Sequence, residues 1–204
     1  LGTAWEPYPT SLRIVNWVKW FLQGQAPQAD WLHSLAVQAR WLRQRMEWHL
    51  LGNHLFANAK ALVFAGLYFD GPEALAWLHT GLQVLQRELP EQVLPDGGHF
   101  ERSTMYHVLA LEDVLDLLNL LAARGADVPQ AQSLVPVLRA HARAMLHWQR
   151  CMAHPDGGIG LFNDAAHGIA PPPAELERYA AALGIQAPMP LADGLTDLPH
   201  SGYQ

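Results

Sequence analysis

Apolar residues recur at three- and four-residue intervals along most of this chain, and strand signals are almost absent. The spacing predicts helices over about 11–23, 30–50, 53–69, 72–92, 103–123 and 130–152. A chain patterned this way buries its apolar stripes by packing helix on helix, so the expected class is all-α. Within 30–50, Leu35, Leu42 and Met46 mark one face, while Arg40, Arg43 and Arg45 lie mostly off it. Ser103 suits the N-cap of the fifth helix and Gly125 its end, and Asp70-Gly71-Pro72 stops one helix and opens the next. The one short extended piece expected is Gly160-Leu161-Phe162.

An internal echo refines this. Pro95-Asp96-Gly97-Gly98 recurs 60 residues later as Pro155-Asp156-Gly157-Gly158, each after a long helix and each followed by a Phe, Phe100 or Phe162. A period of that size fits one helical hairpin with generous loops, and stacked hairpins build solenoids or closed toroids. Two independent Asp-Gly turns are the plainer alternative.

Composition bounds the function. With 204 residues, half of them hydrophobic, the chain can bury a substantial core. Its net charge of −6 argues against nucleic acid as a partner, and an acidic polysaccharide would need a local basic pocket. Cys151 is the single cysteine, so an intrachain disulfide is excluded. No apolar run approaches the roughly 20 residues that span a bilayer. The chain opens at Leu1 without Met and closes at Ser201-Gly202-Tyr203-Gln204 after a Pro/Gly/Asp-rich stretch like an interdomain linker. The expectation is a piece of a larger protein.

Three side chains at predicted helix starts could do chemistry: Asn53, His54 and Tyr106. Each has a structural reading as well. Asn53 after Gly52 suits an N-cap, His54 could be a packing histidine, and Tyr106 could be a half-buried core tyrosine. Helix N-termini, however, present N–H groups and positive dipole to an anion. The set fits β-elimination on a uronic acid. The C5 proton of a uronate is weakly acidic because the adjacent carboxylate is already charged, so preorganised donors must stabilise the enolate-like dianion. Asn53 can donate to that carboxylate with His54 assisting, a base takes the proton, and an acid protonates the leaving oxygen. A tyrosine serves if cations lower its phenol from about 10, and Arg102, His107 and His99 are near enough in sequence to do so.

Asn53-His54 with Asn58, then Pro95 through Ser103, then Met105-Tyr106-His107, resemble the heparinase II/III family of polysaccharide lyases, which also includes oligoalginate lyases. Trp5-Glu6-Pro7-Tyr8 through Arg13, Asn16-Trp17 and Phe162-Asn163-Asp164 resemble it too, so the likeness covers most of 1–165. The resemblance implies an incomplete (α/α) toroid over residues 1–170. It also implies a helix and linker over 171–204 leading to an antiparallel β-sandwich domain beyond, with the active site in the cleft between. Carried over, Asn53 and His54 match the carboxylate-neutralising pair, the histidine also serving as base for one epimer. Tyr106 matches the tyrosine acid, or acid and base together; Trp5, His99, Glu101, Arg102 and His107 are the expected substrate-binding residues. The implied partner is an acidic, glycosaminoglycan- or alginate-like polysaccharide, and the implied location is periplasmic or secreted. Many relatives have Glu three residues after the motif histidine, where this chain has Ala57. The family also takes a further catalytic His or Tyr, and in some members a zinc, from the β domain. These residues are thus expected to hold half a site, inactive alone, with no cofactor of their own.

Other features read as scaffold. Trp17, Trp20, Trp31, Trp41, Trp48, Trp77 and Trp148 fall in helical runs and suit core packing, with Trp5 the best placed to stack on a sugar. His49/His54 and His141/His147 lack metal-ligand spacing, so no metal is expected. Glu112, Asp113 and Asp116 read as a solvated helix face. Two alternatives stay open: a toroid glycoside hydrolase using Asp96 and Glu101, and a non-catalytic protein that binds acidic glycans or helps assemble polysaccharide.

Overall fold

The computed structural model describes residues 2–189 and 195–204. Residues 190–194, part of the stretch read as a linker, lie outside the described residues. A 3₁₀ turn at Thr3–Trp5 precedes helices α1 (Pro7–Leu22), α2 (Ala29–Arg43), α3 (Gly52–Tyr68), α4 (Pro72–Gln92), α5 (Thr104–Arg124), α6 (Pro129–Gln132), α7 (Val135–Met152) and α8 (Pro173–Ala182). The described residues are therefore all-helical, as the periodicity dictates. Among the described residues extended pairing is confined to isolated bridges at Val93–His99, Ala153–Ile159 and Leu198–Tyr203, so the short extended piece expected at Gly160–Phe162 carries no bridge and its neighbour Ile159 does. Among the described residues no helix is long and apolar enough to cross a membrane.

The chain forms two compact units, Leu1–Glu88 with Arg124–Gln130, and Leu89–Ala123 with Ala131–Gln204. In the first, α3 is mostly apolar and is buried on every side from Leu55 to Leu67, with α1 and α2 packed on it. Leu35, Leu42 and Met46 are buried as the stripe requires, and Arg40, Arg43 and Arg45 are exposed. Arg40 forms a two-pronged pair with Glu73, at 2.6 and 2.7 Å. The glycines that join α3 to α4 leave no room for a side chain. A Cβ on Gly66 would lie 2.6 Å from the Leu78 backbone nitrogen, and one on Gly81 would lie 2.7 Å from the Ala59 carbonyl oxygen.

In the second unit the two Pro-Asp-Gly-Gly turns are built alike. Gly97 N–H donates to Leu94 O and Gly157 N–H to His154 O, both at 2.8 Å. Asp96 and Asp156 each accept the N–H of the second glycine two residues on, at 3.1 and 2.8 Å. The segments that follow meet: Thr104 Oγ1 donates to Gly160 O, and Asn163 Nδ2 donates to Arg102 O at 3.1 Å.

Three expectations need correction. The helix expected over 30–50 stops at Arg43, and 44–51 is a loop whose Glu47 is drawn inward by Asn58. Of the seven helical-run tryptophans, Trp77 and Trp148 are buried, whereas Trp20 and Trp48 are 43% and 48% exposed and Trp17, Trp31 and Trp41 are half-buried. Indole has enough apolar surface to lie along the flank of a helix without entering the core. Asp116 is buried rather than solvated, because the Tyr179 hydroxyl donates to it at 3.1 Å from α8.

Candidate functional site

In the first unit, polar groups gather at the start of α3. Leu51 has φ +57° and Gly52 +54°, which turns the chain sharply into the helix. For a leucine that conformation costs on the order of 1–3 kcal/mol, and such strain concentrates at functional sites. The N-cap residue is Leu51, with no side-chain cap, so the N-cap reading of Asn53 does not hold. Asn53 and His54 occupy the second and third helical positions, half-buried, within the positive end of the helix dipole.

His54 is held from behind. Its Nδ1 lies 3.1 Å from Glu47 Oε1, and the Tyr8 ring packs 4.7 Å from its centroid. The imidazole is 38% exposed, whereas the Glu47 side chain is 8% exposed. Glu47 is fixed in turn by fully buried Asn58. Asn58 Oδ1 accepts the Glu47 N–H at 2.8 Å, and Asn58 Nδ2 donates to Glu47 Oε2 at 3.0 Å and to Ser11 Oγ at 3.0 Å. Ser11 completes the chain by donating to Pro7 O at 2.8 Å. Glu47 was missed in the sequence because it sits in the expected last turn of an Arg-rich helix. Its distance of seven residues from His54 gives no helical register that would have paired them.

In the second unit Tyr106 occupies the first turn of α5, its N–H 3.4 Å from Ser103 Oγ, so Ser103 caps the helix as predicted. The phenol is half-buried, and burial, together with the Asp164 and Glu101 carboxylates, pushes its pKa above the ordinary 10. This reverses the expected tuning. His99 and His107 are both fully buried. Burial lowers His99 to about 4, and burial together with His99 lowers His107 to about 3, so both are neutral near pH 7 and neither supplies a cation. The His107 ring stacks 4.3 Å from Trp148, and its Nε2 is 3.0 Å from Met145 O. These two histidines belong to the interior of the unit, not to a surface that a sugar can reach. Arg102 is exposed at φ +57°, and its carbonyl accepts from Asn163 Nδ2 at 3.1 Å and Tyr203 OH at 2.7 Å. Asn163 and Asp164 also take positive φ, at 48° and 64°. Three non-glycine residues in the left-handed region thus lie in the two segments that the Asn163–Arg102 bond joins.

Trp5 is half-buried. Trp41 Nε1 donates to its carbonyl at 2.9 Å, and the two rings meet edge-on at 5.6 Å. Asp96 is engaged in structure, because Oδ2 accepts Ser201 N–H at 2.6 Å and Oγ–H at 2.9 Å. Burial alone would raise its pKa, but these donors and the backbone N–H groups of Gly98 and His200 hold it below the usual carboxylate value. That disfavours Asp96 as the proton donor of a hydrolase. An open cleft of about 650 Å³ runs between the Asp156–Ile159 turn and Pro171–Pro173, and none of its walls is an expected site residue. Among the described residues no three His, Cys, Asp or Glu side chains gather as a metal site.

These features place the chain among all-α proteins built from helical hairpins, with polar side chains presented at helix starts. It belongs to the heparinase II/III family: the family described as Heparinase II/III N-terminus matches residues 2–178. The heparin-sulfate lyase of Bacteroides stercoris is 30% identical over 129 residues, covering 60% of this chain and 19% of that protein. The heparin-sulfate lyase of Bacteroides thetaiotaomicron is 28% identical over 154 residues, covering 74% and 20%. FtsZ-localized protein C of Caulobacter vibrioides is 33% identical over 178 residues, covering 87% and 28%. A solved heparinase III shares the fold with a TM-score of 0.67 at 24% identity, over 89% of this chain and 29% of that one. The chain therefore spans between 19% and 28% of the length of these curated relatives.

Proposed function

We propose that this chain is the helical part of a polysaccharide lyase that cuts a uronic-acid polymer, glycosaminoglycan- or alginate-like, by β-elimination. The observation that carries the reading is the family match over residues 2–178, which includes every residue given a role. Asn53, at the positive end of α3, takes the uronate carboxylate as the C5 proton leaves, and His54 beside it either assists or accepts that proton. Tyr106, its phenol kept protonated by burial and two carboxylates, gives its proton to the glycosidic oxygen as the C4–O bond breaks. Trp5 and exposed Arg102 are the further substrate contacts in this reading. The rest of the full-length protein supplies a further catalytic group, and the enzyme works outside the cytoplasm.

The test is Asn53→Ala and Tyr106→Phe in the full-length protein, following the ultraviolet absorbance of the unsaturated product. Each change lowers turnover on the order of 10²-fold or more. Unchanged turnover in both would remove the proposal.

A second reading draws on the likeness to FtsZ-localized protein C, 33% identical over 87% of this chain. Here the same helical units bind an acidic glycan without cutting it, or help assemble polysaccharide, where FtsZ gathers. Binding of uronate oligosaccharides with no unsaturated product, and co-localisation of the tagged protein with FtsZ, would favour this reading over the lyase.

A further inference from the structure

The loop between α2 and α3 places a buried carboxylate behind a partly exposed histidine, and this arrangement fixes which nitrogen of the neutral ring carries the hydrogen. Glu47 is acceptor-only when ionised, so the hydrogen at the 3.1 Å contact belongs to His54 Nδ1. The neutral ring then carries its lone pair on Nε2. Asn58 fixes the carboxylate so that it cannot turn away. Its Oδ1 must be the atom that accepts the Glu47 backbone N–H, and its Nδ2 the one that donates to Glu47 Oε2, which leaves one amide orientation. The other Nδ2 hydrogen goes to Ser11 Oγ, so Asn58 is satisfied at every atom in the interior.

We propose that Glu47 is a positioning residue: through Nδ1 it holds His54 as the Nδ1–H tautomer, so that Nε2 is the atom offered to the ligand, as a proton acceptor. This rests on the lyase reading for its chemistry and on Glu47, Asn58 and Ser11 for its geometry. The consequence for the reaction is specific. A neutral His54 cannot donate a hydrogen bond to the uronate carboxylate from Nε2, which leaves Asn53 as the carboxylate donor and His54 as the base that takes the C5 proton. The proton moves from carbon to Nε2, the C5–H electron pair forms the C4–C5 double bond, and the C4–O pair leaves with the glycosidic oxygen, protonated by Tyr106. The imidazolium so formed lies 3.1 Å from a carboxylate buried on its other side.

The experiment uses the full-length protein labelled with ¹⁵N-histidine, the His54 signals being assigned by their loss in H54Q. Above the histidine titration range, Nδ1 of wild type should resonate as a protonated nitrogen and Nε2 as an unprotonated one. E47Q breaks the lock, because its amide nitrogen either faces Asn58 Nδ2 donor to donor or, flipped, donates to His54 Nδ1 and favours the Nε2–H tautomer. Its spectrum should shift toward mixed tautomers, and kcat should fall on the order of 10²-fold with KM little changed. The exchange E47Q/N58D restores complementarity, with the glutamine amide donating to the new carboxylate, and should recover much of both signals; a merely structural role would give no such rescue. A wild-type His54 protonated on Nε2, or E47Q with unaltered tautomer and kcat, overturns the proposal. If the full-length protein releases no unsaturated product from any uronate polymer, the lyase reading falls, and the tautomer spectra alone decide whether Glu47 orients the ring.

Discussion

Tyr106 bears two demands that pull in opposite directions. A base needs a phenol that ionises readily, whereas an acid needs one that stays protonated until the leaving oxygen takes its proton. Burial comes first among the influences on this phenol, then Asp164 and Glu101, and all three raise its pKa above 10. The side chain therefore suits the acid step. Sign and window follow directly: a group that must be protonated to act loses function as pH rises through its pKa. On the lyase reading, turnover of the full-length protein should persist beyond the ordinary phenol range before its alkaline limb falls. Asp164→Asn removes one of the two carboxylates and should draw that limb to lower pH without abolishing activity. A limb well below pH 9 that ignores Asp164→Asn would assign it to another group and leave Tyr106 without the acid role.

Between residues and the whole lie the turns and the helix pairs. The two Pro-Asp-Gly-Gly turns share their hydrogen bonds, yet the chain uses them differently. Gly97, at φ +92°, has the Ala144 carbonyl where a Cβ would go, while Gly157, at φ +82°, has open space. Both glycines bear the left-handed cost of an L side chain, about 1–2 kcal/mol, but only Gly97 adds a collision with the backbone of α7. Gly97→Ala should thus lower the unfolding free energy read from urea melts far more than Gly157→Ala, by about 2–4 kcal/mol against about 1–2. Equal losses would show that the first turn is not wedged against α7. The same logic applies to Gly66 and Gly81, whose missing side chains let α3 and α4 touch; Gly81→Ala should cost about 1–3 kcal/mol. At this scale the sequence was legible because helix periodicity, the Asp70-Gly71-Pro72 break and the Ser103 cap are local signals. The end of α2 at Arg43 was not, because it depends on Asn58 binding the Glu47 backbone across eleven residues. The same holds for Asp116, whose burial is imposed by Tyr179 from α8.

At the scale of the whole molecule, the site residues were legible as types at helix starts, but their charge states were not. A His near a Tyr in sequence suggests a cation; whether it is one depends on burial, a tertiary property that no spacing encodes. His99 is fully buried with neither ring nitrogen hydrogen-bonded, and His107 keeps Nδ1 unpaired beside the Trp148 ring. Their lowered pKa values, about 4 and about 3, make the fold sensitive to acid well before its carboxylates titrate. In the unfolded chain both histidines take a proton near pH 6.5, whereas in the folded state they resist it down to those values. Between about pH 6.5 and 4 the unfolded state therefore binds more protons, so stability is full above that window and falls as pH drops through it. Each histidine contributes a slope of about 1.4 kcal/mol per pH unit there. Asp96 and Glu73, both held below their ordinary carboxylate values, add their loss only at lower pH. Urea midpoints measured from pH 7 to 4 should fall steeply from about 6 downward. His99→Leu, which also removes two buried nitrogens without partners, should flatten the slope by about half and leave the neutral-pH stability equal or higher. Midpoints that stay level to pH 4.5, or a slope that His99→Leu leaves unchanged, would place both imidazoles in contact with water and undo the account of the second unit's interior.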